Sequence, residues 1–400
     1  MANSLLTISM ITREAIRLWR NSNAFLQNID RQYDDQFAKS GAKIGTTLRI
    51  RLPNDFTVRT GATAAPQDTT EQNTTLTVAT QKGVDVQFSS AERALSLDDY
   101  SMRILAPAIN NLAGSVAADI ISGSEGVPSM VAKLDGSGSL LSPDASTWLT
   151  AGAYLDIFSA PRGDRKIILD PLTQSRTVTS LAGLFNPATG ISKQYATGQM
   201  MNALGFDWLM DQTVLKHTTG AYGTLATVAG GSQTGTAITV SALNGPLVKG
   251  DIISFAGVNA VNRITKQDAG QLMQFVVTAN VAASATSIPI YPALTPVASG
   301  PYATVTVSPA NGAAITVSLK ASVPYRKNFA MLPQAATLVT ADLELPRGVH
   351  EAARETFDGT SMRMITAYNV TTDQFITRMD ILYGYLWVRP EWAVVVPDIL

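Results

Sequence analysis

The strongest periodic pattern in the chain lies between Leu105 and Ile120. Leu105, Ile109, Leu112, Val116 and Ile120 recur at steps of three and four, which is one face of a helix. Upstream, Ser96-Leu97-Asp98-Asp99 has the form of a capping box, and Gly123 is a natural stop. Pro107 falls inside this stretch, where a regular helix would lose about 3 kcal/mol, so the pattern predicts a kink there or a fresh helix beginning near Ala106. A second helix is predicted at the N-terminus. It has Ile8, Ile11, Ala15 and Leu18 on one face and Arg13, Arg17 and Arg20 on another. The three arginines read either as a solvated face or as a contact for a partner or nucleic acid. Tyr33-Asp34-Asp35 and Gly41 to Gly45 then form a loop.

From Thr46 to Leu52 the period changes to two. Leu48, Ile50 and Leu52 alternate with Arg49 and Arg51, as in a half-exposed strand. Leu76 and Val78, then Val84, Val86 and Phe88, alternate again. Asn54 to Asn73 between them is polar, rich in Thr, Ala and Gln, and has too few apolar residues for a core of its own. The pattern predicts a long two-stranded hairpin. An isolated hairpin is marginal in water, so this one is expected to rest on a neighbouring molecule. Residues 146 to 216 read as a mixed α/β unit, with a helix over Thr150 to Ser159, a short buried strand over Lys166 to Leu169, and a helix start at Asp170-Pro171.

Between Thr218 and Val323 the texture changes. Those 106 residues hold six charges (Lys249, Asp251, Arg263, Lys266, Asp268 and Lys320), where the overall 15% would place about sixteen. Six short alternating runs recur, at Ala237 to Val240, Asp251 to Phe255, Gln274 to Val277, Ser287 to Tyr291, Ala303 to Val307 and Ala314 to Leu319. Gly, Asn and Pro punctuate them at intervals suited to a small β-barrel or sandwich; the competing reading is a low-complexity linker. Strands then return at Ala336 to Thr340, Leu382 to Val388 and Ala393 to Val396. The low-charge block therefore reads as an insertion into an α/β domain, expected where termini lie close together at a surface.

Composition narrows the chemistry. There is no Cys, which removes disulfide frameworks, thiol nucleophiles and thiolate metal sites. With two His, His217 and His350, both read as ordinary surface or capping residues, an imidazole-based metal or catalytic site is not expected. The net charge of −1 is far from the basic balance of an electrostatic nucleic-acid binder. Charged residues at 15% and apolar residues at 46% make an unusually uncharged chain, yet no uninterrupted apolar run of about 18 residues occurs. The opening MANSLLTISMIT has no basic leader or small-residue cleavage site, so secretion is not indicated. Such a chain is expected to bury nominal surface against other subunits. No P-loop, dinucleotide fingerprint, HExxH, GxSxG or EF-hand loop is present. Asp34-Asp35 and Asp98-Asp99 are adjacent in sequence, so on a helix they would diverge rather than act as an acid/base pair.

Two stretches, and the ending, make this organisation similar to a known family. Tyr33-Asp34-Asp35-Gln36-Phe37-Ala38 through Gly45-Thr46-Thr47-Leu48-Arg49-Ile50-Arg51-Leu52-Pro53 resembles the N-arm and first hairpin strand of short-tailed (podovirus) phage coat proteins. Lys249-Gly250-Asp251-Ile252-Ile253-Ser254-Phe255-Ala256-Gly257-Val258 is similar to a strand of that branch's telokin-like insertion domain. Tyr383 to Val396, with Arg389-Pro390-Glu391, resembles its C-terminal strands. The resemblance implies a tailed-phage major capsid protein of the Hong Kong 97 fold, an α+β class with an inserted small β-barrel. The expected divisions are an N-arm (1–45), an extended hairpin loop (46–92), a spine helix and peripheral domain (93–145), an axial domain (146–217), the insertion (218–323), and axial or peripheral strands (324–400).

It further implies hexamers and pentamers closing into an icosahedral shell around double-stranded DNA, which is touched only weakly and non-specifically. A scaffolding protein and a portal are the expected partners. The protein is expected in the virion, and in the host cytoplasm during assembly, with no cofactor, membrane or catalysis. Arg49, Arg51 and Arg59 are the candidates for contact with an adjacent subunit; Arg13, Arg17 and Arg20 are candidates for the scaffold or interior. In the related coat the N-terminal helix is expected to be acidic, whereas here Glu14 is the single acid among those arginines. Two other readings stand beside this one: a tail-tube or surface-layer subunit with a β module, and an enzyme with a site of scattered Asp, Glu and Arg.

Overall fold

The computed structural model describes residues 8–31, 46–89 (apart from Thr57, Thr60, Ala65 and 68–70), 101–181 and 202–400 (apart from Arg347 and Asp373). The predicted loop at 33–45 and the capping box at Ser96 to Asp99 lie outside these residues. The chain forms two compact units, one from Met1–Arg51, Asn73–Ile120 and Ala336–Val388, the other from Leu52–Gln72, Ile121–Ala335 and Arg389–Leu400.

The first unit is organised by the strand Gln374–Trp387. On one edge it pairs with Thr360–Asn369 and Ala336–Ala341, and on the other with Thr80–Ser89, all antiparallel; Glu351–Phe357 adds to the far side of Thr360–Asn369. The expected hairpin is therefore divided. Thr46–Arg51 pairs with Asn73–Val78, Leu48 opposite Leu76, as alternation predicts. Val84 and Val86 instead belong to Thr80–Ser89 in the larger sheet. The hairpin also rests on its own chain: Leu48, Ile50, Leu76 and Val78 share a core with Val339, Ala341, Leu343 and Leu382. Four cross-strand apolar side chains are too few to hold two strands together in water, and the underlying sheet supplies the rest of the apolar surface.

The predicted stripe forms the core face of the helix Ala106–Ser122, with Leu105, Ile109, Leu112, Val116 and Ile120 all buried. The helix starts at Ala106 behind a wide turn over Ser101–Leu105, so Pro107 sits in the first turn, where its missing N–H costs nothing. At the N-terminus, Ile8–Ser22 is helical, but its buried residues are Thr12, Ala15, Ile16 and Trp19. The buried face is rotated from the expected one by the bulk of Trp19.

The second unit holds two sheets. The seven-stranded one runs Ser129–Met130, Ala393–Ile399, Pro324–Met331, Lys166–Leu169, Phe206–Met210 and Asn202–Ala203, with Lys216–Thr218 also paired to Pro324–Met331. The helix Ala145–Ile157 begins five residues earlier than predicted because Asp144 caps it: the Asp144 carboxylate accepts the Thr147 N–H at 3.0 Å. Trp148, Ala151 and Leu155 pack this helix on Ile167, Leu169, Trp208, Val394 and Val396, and Trp148 meets Trp208 edge-on at 5.2 Å. The helix Pro171–Leu181 starts where Asp170-Pro171 predicts.

The low-charge block is folded, not a linker. Its five-stranded sheet runs Gly235–Thr239, Ser287–Leu294, Asp268–Val277, Ile252–Val261 and Ile315–Val317 around a core that includes Val240, Ile253, Phe255, Phe275, Ile288 and Ile290. Five of the six predicted runs are strands. The sixth, Ala303 to Val307, makes single bridges through Val305 to Ala260 and Pro296. Of the strands after the block, Pro324–Met331 and Ala393–Ile399 complete the seven-stranded sheet, whereas Ala336–Ala341 and Gln374–Trp387 belong to the first unit.

Candidate assembly surfaces

A subunit that buries surface against its copies needs exposed side chains held in fixed directions. Arg49 and Arg51 meet that requirement. They stand two apart on Thr46–Arg51, so both leave the same face of the strand, and both are exposed while Leu48 and Ile50 anchor the opposite face. Across the ladder they lie opposite Thr75 and Asn73, also exposed, which leaves a polar ribbon with two positive charges. Arg59 belongs to the other unit. It is exposed on the 52–72 segment and donates to the Gly61 carbonyl, a contact that holds the guanidinium against its own loop.

The N-terminal arginines are differently placed. Arg17 is tied by its Nε to the Glu14 carboxylate at 2.8 Å, a pairing that holds the Glu14 carboxyl below its usual range. Arg13 is three-quarters exposed, with Glu355 at 3.6 Å. Arg20 is in the same helix, but its side chain lies outside the described residues. The structure adds Arg31, which pairs with Asp358 at 3.2 Å. Arg13 and Arg31 thus lay the N-terminal segment along the strand Glu351–Phe357 and the turn that follows it.

Two apolar side chains stand out on the segment 54–73, which is polar with too few apolar residues for a core of its own. Phe56 and Val58 are 56% and 93% exposed, and the alternation Asp55-Phe56-Thr57-Val58 was the signal for them. An exposed Phe and Val on a segment of otherwise polar residues is costly in water and becomes favourable once covered. The same segment is held at its base: Arg263 Nε donates to both Asp55 oxygens, at 3.1 and 2.9 Å, and Tyr302 Oη lies 3.4 Å from Asn54 Oδ1. Among the described residues no group of three His, Cys, Asp or Glu converges as a metal site would require.

A family model described as P22 coat protein, gene protein 5, matches residues 27–396. The chain belongs to the P22 coat protein family. It is a phage major capsid protein of the Hong Kong 97 type fold, a structural component of the virion whose copies assemble into an icosahedral shell. Solved structures similar to this coat protein include Mycobacterium phage Che8 (11% identity, 94% of this chain and 90% of that one, TM-score 0.46). The capsid of Ralstonia phage GP4 is similar at 8% identity, over 100% and 94% of the two chains, with TM-score 0.46. The CUS-3 coat protein I-domain is 36% identical over 24% of this chain and 96% of its own, with TM-score 0.19. A comparison with the curated proteins gave no match. The assignment rests on the family model, which takes in strands of all three large sheets, the long helix and the hairpin.

Proposed function

We propose that this coat protein forms hexamers and pentamers whose shell encloses double-stranded DNA, and that the polar ribbon carrying Arg49 and Arg51 pairs with acidic groups of an adjacent subunit. The observation that carries the contact is the pair's geometry: two guanidiniums on one face of a strand whose other face is fixed in a core. Arg59, with Phe56 and Val58 beside it, forms a contact of its own on the 52–72 segment, where covering the apolar pair supplies the larger part of the free energy. Each exposed ion pair contributes only about 0–1 kcal/mol, so the arginines act mainly through register and through repetition over the shell.

The divisions proposed are the N-arm (1–45), extended loop (46–92), spine helix and peripheral domain (93–145), axial domain (146–217), inserted domain (218–323) and closing strands (324–400). The near-neutral chain, at net charge −1, suits a container that does not trap its genome on its wall. Assembly in the host cytoplasm uses a scaffolding protein and a portal at one vertex, and the protein performs no catalysis. Arg13 and Arg17 are the scaffold or interior contacts, with Arg20 on the same helix; each of the first two also faces an acid of its own chain, Glu355 and Glu14 respectively.

Electron microscopy of the purified protein, with and without its scaffold, tests this reading. Wild type forms uniform closed shells, and the double reversal Arg49→Glu/Arg51→Glu leaves a folded, unassembled subunit by circular dichroism and sedimentation. Normal shells from the double variant would sink the arginine contact. Tubes or sheets from wild type under both conditions would sink closure into hexamers and pentamers.

A further inference from the structure

Lys327 is the most anomalous side chain in the second unit. It lies on the strand Pro324–Met331, is fully buried, and its Nζ has no hydrogen-bond partner. An amine in that position has lost its water and gained nothing in return, and its charged form bears most of the cost. The groups around it come from four separate elements. Glu125 stands in the turn Gly123–Gly126 that follows the long helix. Lys249 and Asp251 stand at the entry to Ile252–Val261, with Lys249 Nζ 3.0 Å from Glu125 Oε2. His217, on Lys216–Thr218, has Nε2 at 3.3 Å from Asp251 Oδ1 and meets Tyr325 edge-on, with ring centroids 5.3 Å apart. Tyr325, on the strand of Lys327 itself, buries a hydroxyl that also lacks a partner.

His217, expected as an ordinary surface or capping residue, is buried, as is Asp251. The cluster closes tightly. Asp251 accepts from the Gly220 and Val248 amides at 3.1 and 2.8 Å, and Gly250, at φ +98°, packs against His217 and Glu125 so closely that a Cβ there would stand 3.0 Å from the imidazole. Its position is the second observation. The residues that meet here are the strands on either side of the 218–323 block and the block's own segment 249–251.

We propose that Lys327, enclosed by Glu125, His217, Lys249, Asp251 and Tyr325, is a proton-operated fastening between the 218–323 block and the seven-stranded sheet: a neutral Lys327 holds the block's root closed, and a charged one loosens it. Burial is the main cause that lowers the amine to about 7, opposed by Glu125 and Asp251 and reinforced by Lys249. The sign follows from linkage. When the root opens, Lys327 regains an ordinary lysine's affinity for its proton, near 10.4. Between about 7 and 10 the open form therefore binds a proton that the closed form does not, and closure strengthens as pH rises. Below about 7 both forms are protonated, the penalty is complete, and closure no longer depends on this group. The full chain sits on the shoulder of that curve near neutrality.

Hydrogen exchange read by mass spectrometry on the full chain, from pH 6 to 9.5 and corrected for the intrinsic rate, tests the fastening. The amides of 216–220 and 247–251 in wild type are expected to gain protection above pH 7, by up to about tenfold per pH unit, and to be level below it. Lys327→Met fills the same volume without an ionisable group, so its protection is expected to be high and flat across the range. His217→Gln should keep the wild-type slope. A slope that survives in Lys327→Met, or that vanishes in His217→Gln, overturns the proposal. If Lys327→Met does not fold, wild-type protein with 13C-labelled lysine gives the answer directly. A lysine Cε signal titrating near 7 supports the fastening, and lysine signals that all titrate above 10 overturn it.

Discussion

A single methyl group tests how closely the first unit is packed. Gly384, in the middle of Gln374–Trp387, lies under the hairpin strand Asn73–Val78: a Cβ there would overlap the Thr77 carbonyl oxygen, lie 2.9 Å from its carbonyl carbon and 3.0 Å from Leu76 Cδ2. Backbone cannot swing aside as a flexible side chain can. Gly384→Ala is expected to cost about 1–3 kcal/mol and to lower the melting temperature, with the loss read by denaturant unfolding; a neutral result would mean that the hairpin does not cross there. At this scale the sequence was a poor guide. No strand is predicted over Tyr325-Arg326-Lys327-Asn328-Phe329, which carries two charges and an amide, yet all five are buried on the strand Pro324–Met331. The reason is that the strand is covered on both faces. Arg326 is held by Asp170 at 2.9 Å, Asn328 donates to Thr173 at 3.2 Å, and Lys327 faces the opposite way into its own enclosure.

Elements whose contacts are local were legible; elements whose partners are distant were not. The stripe from Leu105 to Ile120, the new start forced by Pro107, and the starts at Lys166 and Pro171 all follow from residues within a few positions of one another. Pairing is another matter. Val84 and Val86 alternate as well as Leu76 and Val78 do, and nothing nearby says that Thr80–Ser89 will join Gln374–Trp387 almost 300 residues on. The candidate site shared this limit. The exposure of Arg49 and Arg51 was legible from alternation, whereas the core that anchors them draws on Val339 and Leu382. The helix Ala106–Ser122 gives a paired expectation. Leu112→Ala, deep in the core face, should lose about 2–5 kcal/mol, while Pro107→Ala in the first turn should change stability by less than about 1 kcal/mol, both read by denaturant midpoints. Equal losses would place Pro107 at a true kink.

At the scale of the whole molecule, folding and assembly make separate demands on the sequence. The low charge content is partly consumed inside the subunit, in the extensive apolar cores of both units, and partly left at surfaces such as Phe56 and Val58. Substitutions sort the two demands. Val395 is fully buried between Ser129–Met130 and Pro324–Met331, so Val395→Asp would place an unpaired charge inside the sheet, at a loss of more than about 4 kcal/mol. Its product is expected in the insoluble fraction, with no soluble subunit, whereas reversing Arg49 and Arg51 is expected to leave soluble subunits that fail only to build shells. Soluble Val395→Asp protein would mean that this strand is dispensable for folding.

The central places of Gln374–Trp387 and Ala393–Ile399 bear on how the chain is made. Each strand is flanked on both edges, one in each unit, and each leaves the ribosome after nearly all of its partners. Until then Thr80–Ser89, Thr360–Asn369 and Pro324–Met331 offer open edges to any other strand, including those of nascent copies on the same message. A protein produced at the abundance a shell requires thus passes through a long interval in which self-association of the wrong kind is open to it, and that interval closes once residues 374–399, translated after their partner strands, are made.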